Sequence, residues 1–131
     1  SERQRALIPL DKVISFTESD LFRRMTRAKA LSRELKVIQL CPAGLLFPET
    51  PPEAAGEQLL LQGMIDCVFQ EQDGDVIVDY KSDRVVSEQV LLQRYRRQLE
   101  LYKLAYGRMS GRPVKCCILY SFSLNRAIEL P

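Results

Sequence analysis

Hydrophobic and polar positions recur along this chain with two different periods, and the periods divide it into elements. Leu21, Phe22, Met25 and Ala28 fall at helical spacing, with Arg23, Arg24, Arg27 and Lys29 mostly turned elsewhere. The run Phe16-Thr17-Glu18-Ser19-Asp20-Leu21 predicts the start of that helix, with Thr17 as N-cap, Asp20 at the capping-box position and Phe16 packing on Leu21 as a staple. Leu35 to Leu40 reads as a strand. Four prolines and two glycines between Pro42 and Gly56 predict a loop or irregular excursion. Two strand-like runs follow, Leu59 to Phe69 and Val76 to Tyr80, around Gln72-Asp73-Gly74, and an Asp-Gly pair between alternating apolar runs is a strong hairpin signal. A long helix comes next, from about Glu88 to Met109, with Leu91, Tyr95, Leu99, Tyr102 and Met109 near one stripe and Gly111 as its stop. Val114 to Phe122 is the last strand. The order α-β-β-β-α-β predicts an α/β (mixed α+β) fold, a small mixed sheet flanked by helices, in one domain over residues 1–131.

Composition narrows the class. A chain of 131 residues buries roughly 65–70% of its unfolded surface, enough for a hydrophobic core. An apolar fraction of 46% and a charged fraction of 27% exclude disordered and collagen-like classes. No apolar run approaches the ~18 residues of a membrane span, and no basic-then-apolar leader is present. The chain starts at Ser1 without a methionine, which is expected of a fragment of something larger. With 19 basic and 17 acidic residues the net charge is +2, so any DNA contact depends on local patches. Histidine is absent, which excludes Ser-His, Cys-His and His-ligated zinc chemistry within this chain. The cysteines, Cys41, Cys67, Cys116 and Cys117, lack C-x2-C spacing, and adjacent Cys116 and Cys117 should point to opposite faces of a strand. Buried free thiols in a reducing cytosol are expected rather than an iron–sulfur site.

Buried-looking strands seldom carry charge, yet this hairpin holds three. Asp66 interrupts Met64-Ile65-Asp66-Cys67-Val68-Phe69, and Asp79 and Lys81 follow Val76-Ile77-Val78 on one face. A two-residue loop at Asp73-Gly74 sets Asp66 opposite Lys81, whereas a loop at Gln72-Asp73 sets it opposite Asp79. Both registers gather the three charges, and a shift of one residue would send Asp66 to the other face. Two carboxylates suit Mg²⁺ or Mn²⁺ together with water and phosphate, and an ammonium can stabilise charge on a phosphodiester or position a nucleophile. The plain alternative is a cross-strand salt bridge at a sheet end.

On the long helix, Gln98 and Tyr102 lie one turn apart and point the same way. With Arg94, Tyr95, Arg96 and Arg97 before them they offer amide, phenol and guanidinium groups to phosphates and bases, which makes Arg94, Gln98 and Tyr102 candidate DNA contacts. Arg96 and Arg97 individually fit a solvated helix face better.

Three segments, Gly63-Met64-Ile65-Asp66, Val78-Asp79-Tyr80-Lys81-Ser82-Asp83 and Gln98-Leu99-Glu100-Leu101-Tyr102, closely resemble in order and spacing the PD-(D/E)XK nuclease domain of the RecB and AddA helicase–nucleases of bacterial recombinational repair. The stretch from Glu18 to the end resembles the C-terminal part of an AddA-type protein, including Gly111-Arg112-Pro113-Val114 and Leu119-Tyr120. The resemblance implies a restriction-endonuclease-like fold and a Mg²⁺-dependent exonuclease (Mn²⁺ as substitute) that hydrolyses unwound, single-stranded DNA. It further implies an ATP-dependent, cytoplasmic bacterial enzyme of DNA repair and recombination, with no membrane partner. That enzyme would work beside the helicase domains of its parent chain and an AddB-type partner subunit. By position Asp66 and Asp79 match the metal-binding acids, the Tyr80 carbonyl a further ligand, Lys81 the catalytic lysine, and Gln98 and Tyr102 the motif lining the site beside DNA. The family also carries an earlier helix with a metal-ligating histidine, so the chain is expected to begin after that helix or to have lost it. Glu18 and Glu34 are upstream acids that could approach the site, although neither sits in a family motif. Two alternatives stay open: a non-catalytic DNA-binding or subunit-docking module of the same fold, and a stand-alone junction resolvase, which usually shows stronger basicity.

Overall fold

The structure, a computed structural model, describes residues 8–130. Helices α1 (Leu10–Thr17) and α2 (Asp20–Arg27) precede strand β1 (Leu31–Pro42) and a single helical turn, α3 (Ala43–Leu46). Strands β2 (Gln58–Glu71) and β3 (Gly74–Lys81) form the hairpin, helix α4 (Glu88–Ser110) crosses over, and β4 (Val114–Ser121) and β5 (Arg126–Leu130) end the chain. One mixed sheet has the order β1-β2-β3-β4-β5. Neighbours are antiparallel except β3 and β4, whose parallel pairing needs the long crossover that α4 supplies. The mixed α/β class and the central hairpin match the sequence-based expectation.

Alternation along the strands builds two cores. On one face Cys67, Phe69, Val76, Val78, Cys116, Ile118 and Tyr120 pack against Leu21 and Met25 of α2. On the other, Val68, Ile77, Cys117 and Leu119 pack against Leu91, Leu99, Ala105 and Tyr106 of α4. Cys116 and Cys117 therefore do face opposite ways. All four cysteines are buried free thiols, and burial pushes Cys67 up to about 11 and Cys117 to about 12.

Several boundaries differ from expectation. Thr17 does not cap α2. It closes α1, its hydroxyl donating to the Ile14 carbonyl at 2.7 Å, while Ser19 Oγ caps α2 by accepting from the Phe22 N–H at 3.2 Å. Helix α1 has no counterpart in the sequence pattern because it buries no residue fully and so leaves no apolar stripe. β1 extends from Leu31 to Pro42, well beyond Leu35–Leu40, and one turn of helix interrupts the proline-rich excursion. Strand β5 is likewise absent from the pattern, since only Ile128 and Leu130 of its five residues are buried. On α4, Met109 lies outside the buried stripe, and Tyr106 is turned inward where its hydroxyl donates to Asp75.

The β1–β2 ladder breaks where Glu34 and Asp66 would pair, and Glu34 there has φ 51°. Leu31, Cys67 and Phe69 serve the α2 core on one side of the break, whereas Leu35, Val37 and Ile65 serve the α4 core on the other. The strands thus change face at Asp66. Asp66 is half-buried between fully buried Ile65 and Cys67.

Candidate active site

The hairpin register places the three charges together. Cys67 pairs with Val78 and Glu71 with Gly74, so Gln72 and Asp73 form the loop and Asp66 stands at the position opposite Asp79. The ladder stops at Cys67 and Val78, and beyond it the Asp66 carboxylate takes over, accepting the Tyr80 backbone N–H at 2.9 Å. Backbone pairing has been exchanged for a side-chain contact, which holds Asp66 against the β3 end that carries Asp79 and Lys81.

Asp79 is 4% exposed and Lys81 7%. Lys81 Nζ lies 2.9 Å from Asp79 Oδ2, but the approach is not aligned as a hydrogen bond, and Oδ2 is buried with no hydrogen-bond partner among the described residues. The ammonium does donate to Gln98 Oε1 at 3.2 Å and sits 4.0 Å from the centroid of the Tyr95 ring. Burial pushes the Asp79 carboxyl up to about 6, Asp66 adds to the rise and Lys81 opposes it. A buried carboxylate with an unused oxygen is costly on its own and fits a position meant for a further cation. Asp66, Asp79 and the Tyr80 carbonyl supply only hard oxygen donors, which fit Mg²⁺ or Mn²⁺ when water and phosphate complete the shell.

The α4 residues close the site from the other side. Gln98 Nε2 donates to the Tyr102 hydroxyl at 3.4 Å, and burial raises the Tyr102 phenol, with Asp79 and then Asp66 adding to it. The Tyr102 ring lies over Gly63, where an added Cβ would stand 2.9 Å from its Cε1. Gly63→Ala is therefore expected to displace Tyr102 and cost about 1–2 kcal/mol. The same change in a Tyr102→Ala background should cost almost nothing, which a double-mutant cycle of urea unfolding measures.

A cleft of about 500 Å³ opens on the α1–α2 side of Asp66, lined by Arg33, Glu34, Tyr80 and Ser82 among others. A second, of about 350 Å³, meets Gly63, Gln98 and Tyr102 on the α4 side. Glu34 thus approaches Asp66, as one of the two upstream acids considered above. Glu18 does not line either cleft and sits exposed at the end of α1. Arg94 is placed differently from Gln98 and Tyr102: its guanidinium donates to Asp83 at 3.0 Å. Sequence reasoning missed Asp83 and Tyr95 as parts of the site; the Tyr95 hydroxyl donates to Asp83 at 2.7 Å. Their signal was Asp83 two residues after Lys81 and a tyrosine three residues before Gln98.

A mixed sheet between helices, with two acids and a lysine at one end of its central hairpin, is the architecture of restriction-endonuclease-like nucleases. The PD-(D/E)XK nuclease superfamily matches residues 3–124, and the chain belongs to that superfamily. It is 34% identical over 99% of its length to an ATP-dependent helicase/nuclease subunit from Alkaliphilus oremlandii. Proteins of the same name from Bacillus anthracis and Bacillus cereus are 35% and 33% identical over 94% of the chain. The chain spans only 11% of the length of each of these curated relatives. The crystal structure of SSO0001 aligns with 92% of this chain and 48% of its own, at a TM-score of 0.47 and 12% identity.

Proposed function

We propose that this chain is the metal-dependent DNA-cleaving part of an ATP-dependent helicase–nuclease acting in double-strand break repair and recombination. The observation that carries the reading is the buried, unsatisfied Asp79 oxygen beside Asp66 and Lys81 at one end of the hairpin. Asp66, Asp79 and the Tyr80 carbonyl would hold Mg²⁺ or Mn²⁺, which when bound supplies an acidified water and positive charge for phosphodiester hydrolysis. Lys81 brings a fixed ammonium to the same point, where it stabilises charge developing on the phosphate oxygens. Gln98 holds that ammonium, and with Tyr102 it forms the wall along which a DNA strand would lie. Solvent protonates the leaving oxygen. The 33–35% identity to helicase/nuclease proteins supports a parent that unwinds DNA with its own helicase domains, beside an AddB-type partner in the bacterial cytoplasm.

A second reading, a DNA-binding or subunit-docking module without catalysis, is favoured by one observation. Among the described residues no group of three or more His, Cys, Asp or Glu side chains converges on a metal position. The two readings part in one experiment: Mg²⁺-dependent degradation of single-stranded DNA by a protein extended upstream of this chain, with and without Lys81→Ala. The nuclease reading expects degradation that falls by roughly a hundredfold or more in the variant. Inertness of the extended protein under every divalent ion would establish the module instead.

A further inference from the structure

We propose that Tyr95 is a positioning residue for Lys81, held in place by Asp83 and Arg94, so that the face of its ring fixes the ammonium within the site. The inference rests on the nuclease reading and adds to it an anchor on helix α4.

The geometry is a chain of contacts that ends at the ammonium. Arg94 Nη1 donates to Asp83 Oδ2 at 3.0 Å, and the Tyr95 hydroxyl donates to the same oxygen at 2.7 Å. Asp83 lies in the segment after β3, and its carboxyl is held below the usual range: burial opposes ionisation, but Tyr95 and Arg94 together outweigh it. A phenol hydrogen-bonded to a carboxylate donates electron density into its ring, which strengthens the attraction of that ring for a cation. The Lys81 nitrogen lies 4.0 Å from the ring centroid, within the range of a cation–π contact.

Lys81 needs such a contact. Its side chain is only 9% exposed, so water satisfies little of the ammonium. Gln98 accepts one hydrogen bond at 3.2 Å, and Asp79 approaches at 2.9 Å without hydrogen-bond alignment. A divalent ion at Asp79 would compete with the ammonium for that carboxylate. Among the described residues, Gln98 and the Tyr95 ring then hold Lys81 where a phosphate would meet it. Losing the ring frees a four-carbon side chain to move by an ångström or more, and a misplacement of about that size costs roughly a hundredfold in rate.

Two variants separate the ring from the hydroxyl. Tyr95→Phe keeps the face and loses the bond to Asp83, whereas Tyr95→Leu fills the volume without a π system. The first readout needs neither metal nor activity: the Lys81 Hε shift in the ¹³C-lysine-labelled chain. A ring face below the ammonium moves those protons upfield; Tyr95→Phe should keep most of that displacement and Tyr95→Leu should abolish it. The second readout is single-stranded DNA cleavage by the parent protein. Tyr95→Leu should lower kcat by roughly tenfold to a hundredfold with KM changed less than about threefold, and Tyr95→Phe should lie within severalfold of wild type. Asp83→Asn, which leaves the ring in sequence but weakens its anchor, should fall between them in both readouts. Unshifted Lys81 protons in the wild-type chain, or an upfield shift that survives Tyr95→Leu, would overturn the proposal. So would equal loss of kcat in the Phe and Leu variants. If the wild-type parent cleaves no DNA, the nuclease reading fails while the shift experiment still decides whether the ring holds the lysine.

Discussion

Replacing Asp79 with asparagine is expected to abolish divalent-metal binding while leaving the metal-free chain as stable as wild type, or more stable, at pH 8. The carboxylate sits 4% exposed with its folded pKa at about 6, above the ordinary 3.8, because burial disfavours its charge. The sign follows from linkage. A carboxyl with a raised folded pKa contributes stability that is fully present below the unfolded value and is lost as pH rises through about 6. At pH 8 the charged group is therefore a net cost, on the order of 2 kcal/mol before the attraction of Lys81 is counted. Asparagine removes that cost and keeps the shape. Lys81 loses its counter-charge but retains Gln98 and the Tyr95 ring.

The expected result is a melting temperature for Asp79→Asn equal to or a few degrees above wild type at pH 8 without metal, with the difference closing toward pH 5. Adding Mn²⁺ should raise the wild-type melting temperature by mass action and leave the variant unmoved. Cleavage by the parent should fall on the order of a thousandfold, since a bound metal supplies several kcal/mol of charge stabilisation. A variant less stable than wild type at pH 8 would instead show Asp79 to be an ordinary structural partner of Lys81. That outcome would remove the main support for a metal position. The pattern expected here, a destabilising charge retained at a chemically competent point, is the usual trade between stability and function.

How much of this was legible in the sequence depends on what each element buries. The hairpin was legible because Asp73-Gly74 punctuates two alternating runs, and the three charges stood out because strands buried on both faces rarely contain any. The register was narrowed to two choices but not fixed. The choice between them rests on Gly74, which pairs with Glu71 in a backbone conformation of φ +150° rather than serving as a loop residue. The face change at Glu34 and Asp66 was invisible, because period-two reasoning assumes an unbroken ladder. Helix α1 and strand β5 left almost no pattern, since surface elements with few buried positions have little periodicity to read. Arg94 reads from sequence as a cation suited to phosphate, but its partner Asp83 lies eleven positions earlier in a segment whose path no local pattern specifies.

The second large effect lies at the opposite end of β3. Arg112→Ala is expected to destabilise the chain by about 3 kcal/mol, a fall in melting temperature on the order of 10 °C, with no change at Lys81 or Asp79. Asp75 is fully buried, and Arg112 grips it with two hydrogen bonds of 2.9 Å, Nε to Oδ2 and Nη2 to Oδ1, while the Tyr106 hydroxyl also donates to Oδ2. Burial pushes the Asp75 carboxyl up, but Arg112 and Tyr106 more than reverse it, so its pKa lies below the ordinary value of 3.8. In the wild-type chain this group therefore adds stability above pH 3.8 that is lost as pH falls through its lowered pKa. Without Arg112 the balance inverts. Burial then dominates, the carboxyl binds its proton more tightly in the folded chain, and stability is lost as pH rises rather than as it falls. The gap between wild type and variant should thus be widest near pH 7 and narrow toward pH 4, in urea unfolding followed at both values. Asp75→Asn added to Arg112→Ala should recover part of the loss at pH 7, because a neutral amide at that position has no charge to desolvate. A gap of equal size at both pH values would mean that Arg112 contributes packing and not charge, and the buried pair would then play no part in holding β3 to the end of α4.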